Sequence, residues 1–220
     1  MTKRHWLIVI GVALVILAGV VTPPLLRPPP LYRMTPLPSI DGCSMLAEAI
    51  NDRGQVVGFS QGSGNARLFL WDREHGVQDL GPTCNTSMVD INNRGQIAGT
   101  VYDPNGQEQA FFWDPNSGMH LLGTLSGTSS QAHAINNHGW IVGTYYRDEH
   151  DRHAFVWDQT RGMRDLGPVD GWFWLGWAIN DANRVIVFDK EGTSIVRMDE
   201  QGVVQACDRL PIQGLGQMNN

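Results

Sequence analysis

The sequence predicts an all-β fold. Four repeats of about 43 residues, each of four short strands, form a β-propeller-like body that is either a closed small ring or a partial propeller, preceded by one N-terminal apolar helix. Three observations predict this. Gly (25) and Trp (8) are abundant while charged residues are only 17%, a composition of turn-rich β structure and not of a disordered chain or coiled coil. The dipeptide Ile-Asn recurs at Ile50-Asn51, Ile91-Asn92, Ile135-Asn136 and Ile179-Asn180, with Asn spacings of 41, 44 and 44. An aromatic run closing on Trp-Asp follows the first three anchors: Phe69-Leu70-Trp71-Asp72, Phe111-Phe112-Trp113-Asp114 and Phe155-Val156-Trp157-Asp158.

Residues 1–22 read as a signal anchor or transmembrane helix. Lys3 and Arg4 precede sixteen consecutive apolar or Gly residues, Trp6 to Val21. The small residues that signal peptidase needs are poorly placed, because Ala18-Gly19-Val20 and Gly19-Val20-Val21 both end on Val. This favours a retained anchor over secretion after cleavage. Sixteen residues span about 24 Å, somewhat short of a hydrocarbon core of about 30 Å, and snorkelling of Lys3 and Arg4 closes the gap. The basic N-terminus places the body outside the cytoplasm. Residues 23–36 are a Pro-rich stalk. Seven of the twelve prolines lie between Pro23 and Pro38, and Pro28-Pro29-Pro30 is expected as stiff polyproline II.

Residues 37–210 are the repeat domain, with repeats at about 37–79, 80–121, 122–165 and 166–209. Gly follows the first three Asn anchors at +3 (Gly54, Gly95, Gly139) and at +7 (Gly58, Gly99, Gly143). Each repeat is expected to open with a short strand ending at the Asn turn, such as Ala47 to Ile50 or Ala132 to Ile135. A tight hairpin such as Asn51-Asp52-Arg53-Gly54 leads to a return strand, with Gly supplying the left-handed conformation. The aromatic run is the third strand, and a turn at the Asp leads to the fourth. Repeat four departs from the pattern: Asn183 and Val187 replace the two glycines, and Val196-Arg197-Met198-Asp199 stands for the aromatic run. Residues 210–220 are a tail or the start of a further repeat, since Met218-Asn219-Asn220 matches Ile135-Asn136-Asn137.

Net charge is −6, but it divides unevenly: all 22 acidic residues lie at or beyond Asp41. From Leu37 onward the balance is −10, with twelve basic residues against those 22. Nucleic acid is excluded as the main partner.

The stretch Ala132-His133-Ala134-Ile135-Asn136-Asn137-His138-Gly139-Trp140-Ile141-Val142-Gly143, then His153-Ala154-Phe155-Val156-Trp157 and Gly162-Met163-Arg164-Asp165-Leu166-Gly167, resembles the HAF repeat of bacterial extracellular proteins. His153-Ala154-Phe155 matches the family's name, with Arg67-Leu68-Phe69 and Gln109-Ala110-Phe111 at the same place in repeats one and two. The resemblance implies export and a propeller-like array. It implies no catalytic residue and no settled biochemical role; no cofactor is expected.

The most unusual local feature is Trp172-Phe173-Trp174-Leu175-Gly176-Trp177. Its aromatic residues Trp172, Phe173, Trp174 and Trp177 are the candidate contact surface for a carbohydrate or protein ligand, the bland alternative being core filling. The recurring Trp-Asp pairs read as core filler and turn former. His150-Asp151-Arg152-His153 has metal-like spacing but is not repeated, and reads as a charged loop with no metal. Cys43, Cys84 and Cys207 permit one disulfide: Cys43–Cys207 would staple a ring, and Cys43–Cys84 would staple neighbouring repeats. No Gly-x-Ser-x-Gly, phosphate loop or Cys-x-x-Cys occurs. The sequence therefore favours a membrane-anchored extracytoplasmic binding or scaffolding module, with self-association through the repeat ends as a further expectation. The rivals are a propeller-type glycan-active enzyme and a non-functional remnant of a longer array.

Overall fold

A computed structural model describes residues 34, 36–40, 42–61, 66–103, 105–148, 150–167, 173–189 and 192–210, without the side chains of 84–87, Phe173 and Trp174. The chain divides into a unit Met1–Pro36 and a unit Leu37–Asn220. The expected anchor helix, nearly all of the stalk, Trp172 and the Met218-Asn219-Asn220 tail lie outside the described residues. Among the described residues no helix is long and apolar enough to cross a membrane.

The second unit is all-β. Its strands are β1 (Ser44–Ile50), β2 (Val56–Gln61), β3 (Ala66–Asp72), β4 (Gly76–Ile91), β5 (Ile97–Tyr102), β6 (Glu108–Asp114), β7 (Gly118–Leu121), β8 (Ser129–Ile135), β9 (Ile141–Tyr146), β10 (Arg152–Asp158), β11 (Gly162–Asp165), β12 (Phe173–Ile179), β13 (Arg184–Asp189), β14 (Gly192–Met198) and β15 (Val204–Arg209). They pair antiparallel in chain order into four four-stranded sheets, here called blades. β4 serves twice: residues 76–83 pair with β3 and residues 84–91 pair with β5. The repeat boundary expected near residues 79 and 80 therefore falls inside one strand, and the chain passes from blade one to blade two without a break. The opening strands also run further than expected, starting at Ser44 and Ser129, because pairing resumes beyond a one-residue bulge.

Asn builds the first hairpin of every blade. Asn51 Oδ1 accepts the N–H groups of Arg53 (3.1 Å) and Gln55 (3.0 Å). Asn92, Asn136 and Asn180 repeat this pattern. Gly54 sits at φ 74°; in repeat four Asn183 holds the same left-handed place at φ 53°, which Asn tolerates. The second hairpin is an Asp turn. Asp158 Oδ1 accepts the N–H of Thr160 and of Arg161, both at 2.9 Å.

The same asparagines join the blades. Asn51 Nδ2 donates to the Asn92 carbonyl at 2.9 Å, Asn92 Nδ2 to that of Asn136 at 3.0 Å, and Asn136 Nδ2 to that of Asn180 at 3.2 Å. A second row runs beside it, with Asp52 N–H to Asn93 Oδ1 (2.8 Å), Asn93 N–H to Asn137 Oδ1 (2.7 Å) and Asn137 N–H to Asp181 Oδ1 (2.8 Å).

Three apolar cores lie between consecutive blades. The first gathers Val57, Leu68 and Leu70 with Ile91, Ile97 and Phe111. The second gathers Ala98, Ala110 and Phe112 with Ile135, Ile141 and Phe155. The third gathers Val142, Ala154 and Val156 with Val185, Val187 and Val196. Each such buried aliphatic side chain contributes roughly 1.5–3 kcal/mol. Among the described residues no fourth core joins blade four back to blade one, so the described strands form an open series.

The third strand of repeat four is read differently once its register is known. Val185 pairs with Val196 where Ile141 pairs with Trp157, so Ser194-Ile195-Val196 occupies the place of Phe155-Val156-Trp157. The hairpin between β13 and β14 is shortened and that between β14 and β15 lengthened, which carries Asp199 past the alignment that its Asp suggested. The core adjusts in step. Gly143 is opposed by Phe155, whose ring carbon stands 2.7 Å from where a Cβ would sit; blade four places Val187 opposite Ser194, a larger strand residue against a smaller one. Repeat four is compensated and not merely decayed.

Candidate functional site

The opening strand of each blade loses register shortly before its Asn turn. The register jumps from Ala47 to Ala49, Ser87 to Val89, Ala132 to Ala134 and Gly176 to Ala178. Glu48, Met88, His133 and Trp177 are left out of the ladder at these jumps; Trp174 on β12 and residues 85 and 86 on β4 are skipped as well. In blades one to three the cause lies on the next strand. A Cβ at Gly58 would stand 1.9 Å from the Leu46 carbonyl oxygen, and one at Gly143 would stand 1.9 Å from that of Gln131. There the +7 Gly makes room for the bulged backbone; blade four, with Val187 at that place, bulges as well and carries its small residue on the bulged strand itself, at Gly176. The Ile-Asn frame beside these positions is constant, yet Glu48, His133 and Trp177, each three residues before its Asn, all differ, and the skipped residue of blade two, Met88, stands four before Asn92. Architecture explains the constant residues; the varied ones are where a specific surface is built.

Trp177 dominates this row. It is 48% exposed on β12. Its ring lies 5.7 Å from that of His133 in blade three and 6.3 Å, edge-on, from that of Phe188 on β13. His133 Nδ1 lies 2.8 Å from the Gly176 carbonyl oxygen, so this nitrogen carries the proton and donates. Burial pushes the His133 pKa down, which keeps the imidazole neutral at neutral pH. Three aromatic rings without net charge thus meet at the seam of blades three and four.

Of the aromatic run expected to form a contact surface, Trp177 is exposed and Phe173 and Trp174 lie on the same strand β12. The side chains of Phe173 and Trp174, and all of Trp172, lie outside the described residues. Sequence reasoning missed His133 and Phe188 as the partners of Trp177. A signal for His133 existed: it stands 44 residues before Trp177, at the same place in the preceding repeat.

Two hollows lie at the hairpin ends. A groove of about 580 Å³ between blades three and four is lined by Trp140, Met198, His138, Asp181, Asp199 and Glu200. Hydrogen bonds from Asn137 hold the Asp181 carboxyl below its usual range, and a backbone hydrogen bond from Val203 does the same for Asp199. Both acids are ionised and engaged in structure. An axial cavity of about 290 Å³ is lined by Ile, Asn and Asp residues from all four Ile-Asn turns. Most of its amides are occupied by the inter-blade rows.

In the segment His150-Asp151-Arg152-His153 the second histidine is engaged within the fold. His153 is buried, with Nε2 2.8 Å from Asp151 and its ring stacked at 5.2 Å on Tyr145. Burial, with the Asp165 hydrogen bond second, pushes the Tyr145 pKa up to about 12. Among the described residues no three His, Cys, Asp or Glu side chains gather to hold a metal. Cys207 is an exposed free thiol on β15, so the Cys43–Cys207 staple is not formed. The Cys84 side chain, needed for the Cys43–Cys84 alternative, lies outside the described residues. The recurring Trp-Asp pairs are structural: Trp113 and Trp157 pack on the inter-blade cores, and Asp72, Asp114 and Asp158 accept turn N–H groups.

Four antiparallel four-stranded blades about an axial row of turns define a β-propeller module. Solved structures share this fold. Over 76% of this chain and 62% of theirs it is similar to a putative TolB from Agrobacterium tumefaciens, at TM-score 0.55 and 14% identity. Over 80% of this chain and 59% of theirs it is similar to a catalytically inactive virginiamycin B lyase from Staphylococcus aureus with quinupristin, at TM-score 0.53 and 12% identity. TolB from Acinetobacter baumannii gives TM-score 0.49 at 18% identity, covering 77% of this chain and 47% of that one. The chain thus spans about half to three fifths of the length of these structures. At such identities the likeness is one of fold alone. No protein-family model matches the sequence, and no curated protein matches it.

Proposed function

We propose that this protein is an extracytoplasmic, membrane-anchored propeller module of the HAF-repeat kind that binds a ligand through the Trp177 surface. The observation that carries the reading is the 48% exposed Trp177 ring, held by His133 and Phe188 among bulge residues that differ from blade to blade. A large flat apolar ring with low conformational freedom, beside a neutral imidazole, suits the face of a sugar or the side chains of a peptide. Binding is favoured over hydrolysis because Asp181 and Asp199, two of the three carboxylates of the groove between blades three and four, are tied to the Asn row and to a turn. Export and anchoring rest on residues 1–22 and on the HAF resemblance.

The test uses the full chain in detergent on glycan and peptide arrays. Trp177→Ser is expected to abolish the captured signal while leaving the unfolding free energy from urea denaturation within about 0.5 kcal/mol of wild type, since the ring is half solvated. Retained binding with lost stability would reduce Trp177 to a packing residue and overturn the proposal. Carbonate extraction of membranes checks the anchor: the chain should stay in the pellet.

A further inference from the structure

The inter-blade interface is used three times within the chain, and among the described residues each of its halves occurs once more without a blade against it, on blade one and on blade four. The half that faces the next blade centres on Val57, Ala98 and Val142, which are 0%, 1% and 0% exposed; the matching Ile186 of blade four is 36% exposed. The half that faces the preceding blade centres on Ile91 and Ile135, each 5% exposed; the matching Ile50 of blade one is 68% exposed. The polar rows end in the same way. Among the described residues no fifth blade receives Asn180 Nδ2 and no preceding blade donates to the Asn51 carbonyl. The two ends are complementary, because each is what the other meets three times inside the molecule.

We propose that a second copy of this chain docks head to tail on blade four, its Ile50 covering Ile186 and its Asn51 carbonyl accepting from Asn180 Nδ2. The docking continues an interface the chain already builds, so the occupant is a blade-one face and not an unrelated apolar partner. One pair limits its affinity. Inside the chain every contact of the second row carries a side-chain amide: Asn93 Nδ2 donates to Asp52 at 2.6 Å, and Asn137 Nδ2 to Asp181 at 2.8 Å. Between copies Asp181 meets Asp52, two carboxylates with no amide between them. The junction is therefore weaker than the internal ones at neutral pH.

Sedimentation of the full chain in detergent, over a range of concentrations, tests this. Wild type should associate reversibly, and Asp52→Asn, which recreates the Asp52–Asn93 pairing at the junction, should associate at least tenfold more tightly. Ile50→Arg and Ile186→Arg should each be monomeric with wild-type circular dichroism, both sites being exposed. Mixed, these two variants should give a dimer and nothing larger, because one retains the tail and the other the head. Wild type and Asp52→Asn both monomeric at all concentrations would overturn the proposal. So would an oligomer that survives Ile186→Arg, which would place the contact in the anchor, or a mixture that stays monomeric.

Discussion

At the scale of single residues, the anchor Asn carries two jobs that a turn reading merges into one. Its Oδ1 closes its own hairpin, and its Nδ2 reaches the next blade. These are separable by position. Asn92→Ala removes two N–H acceptances, the bond to the Gln96 side chain (2.9 Å) and the inter-blade bond, three of the four buried and the Arg94 one partly so. It is expected to cost about 2–4 kcal/mol in urea unfolding, whereas exposed Asn180→Ala should cost about 1 kcal/mol. His133 sets a pH dependence. Its folded pKa lies below the ordinary 6.5, so the unfolded chain takes up a proton that the folded chain resists. The stability this group contributes is whole above 6.5 and is lost as pH falls from there through the lowered folded value. Urea midpoints measured downward from pH 7.5 should fall more steeply in wild type than in His133→Gln.

At the scale of the element, the +7 Gly shows how a legible pattern can have an illegible cause. The spacing of Gly58, Gly99 and Gly143 marks a strand position in the sequence. That each faces a bulged carbonyl on the neighbouring strand appears only when the register is known. Gly143→Ala drives a methyl to 1.9 Å from the Gln131 oxygen and 2.7 Å from the Phe155 ring, and should cost about 3 kcal/mol. Adding Phe155→Ser relieves one of the two clashes, so the double variant should lose less than the sum of the single variants, by a double-mutant cycle on denaturation. The aromatic run that closes on Trp-Asp was legible as a strand and a turn. Its counterpart in repeat four was misaligned because the Asp turn is a local signal, while register is set by pairing with β13.

At the scale of the whole molecule, stability follows the linear order of the blades. Blades two and three pack on both faces; blades one and four each contribute to a single inter-blade core. Amide exchange should accordingly be slowest in β5 and β9 and fastest in β15, the outermost strand of the last blade. Uniform protection across all four blades would show instead that the array opens as one unit. The sequence by itself determined the repeat, its strand order within a blade and its turn chemistry, since these rest on φ preferences, period-two alternation and short-range hydrogen bonds. It also marked Trp177 as out of place. Only the tertiary structure decided that the Asn anchors link blade to blade, that Glu48, Met88, His133 and Trp177 leave the ladder together, and that Val187 and Ser194 rebalance the last core. Those features depend on contacts between residues about forty positions apart, and a repeat period gives the spacing of such residues without saying which atoms meet.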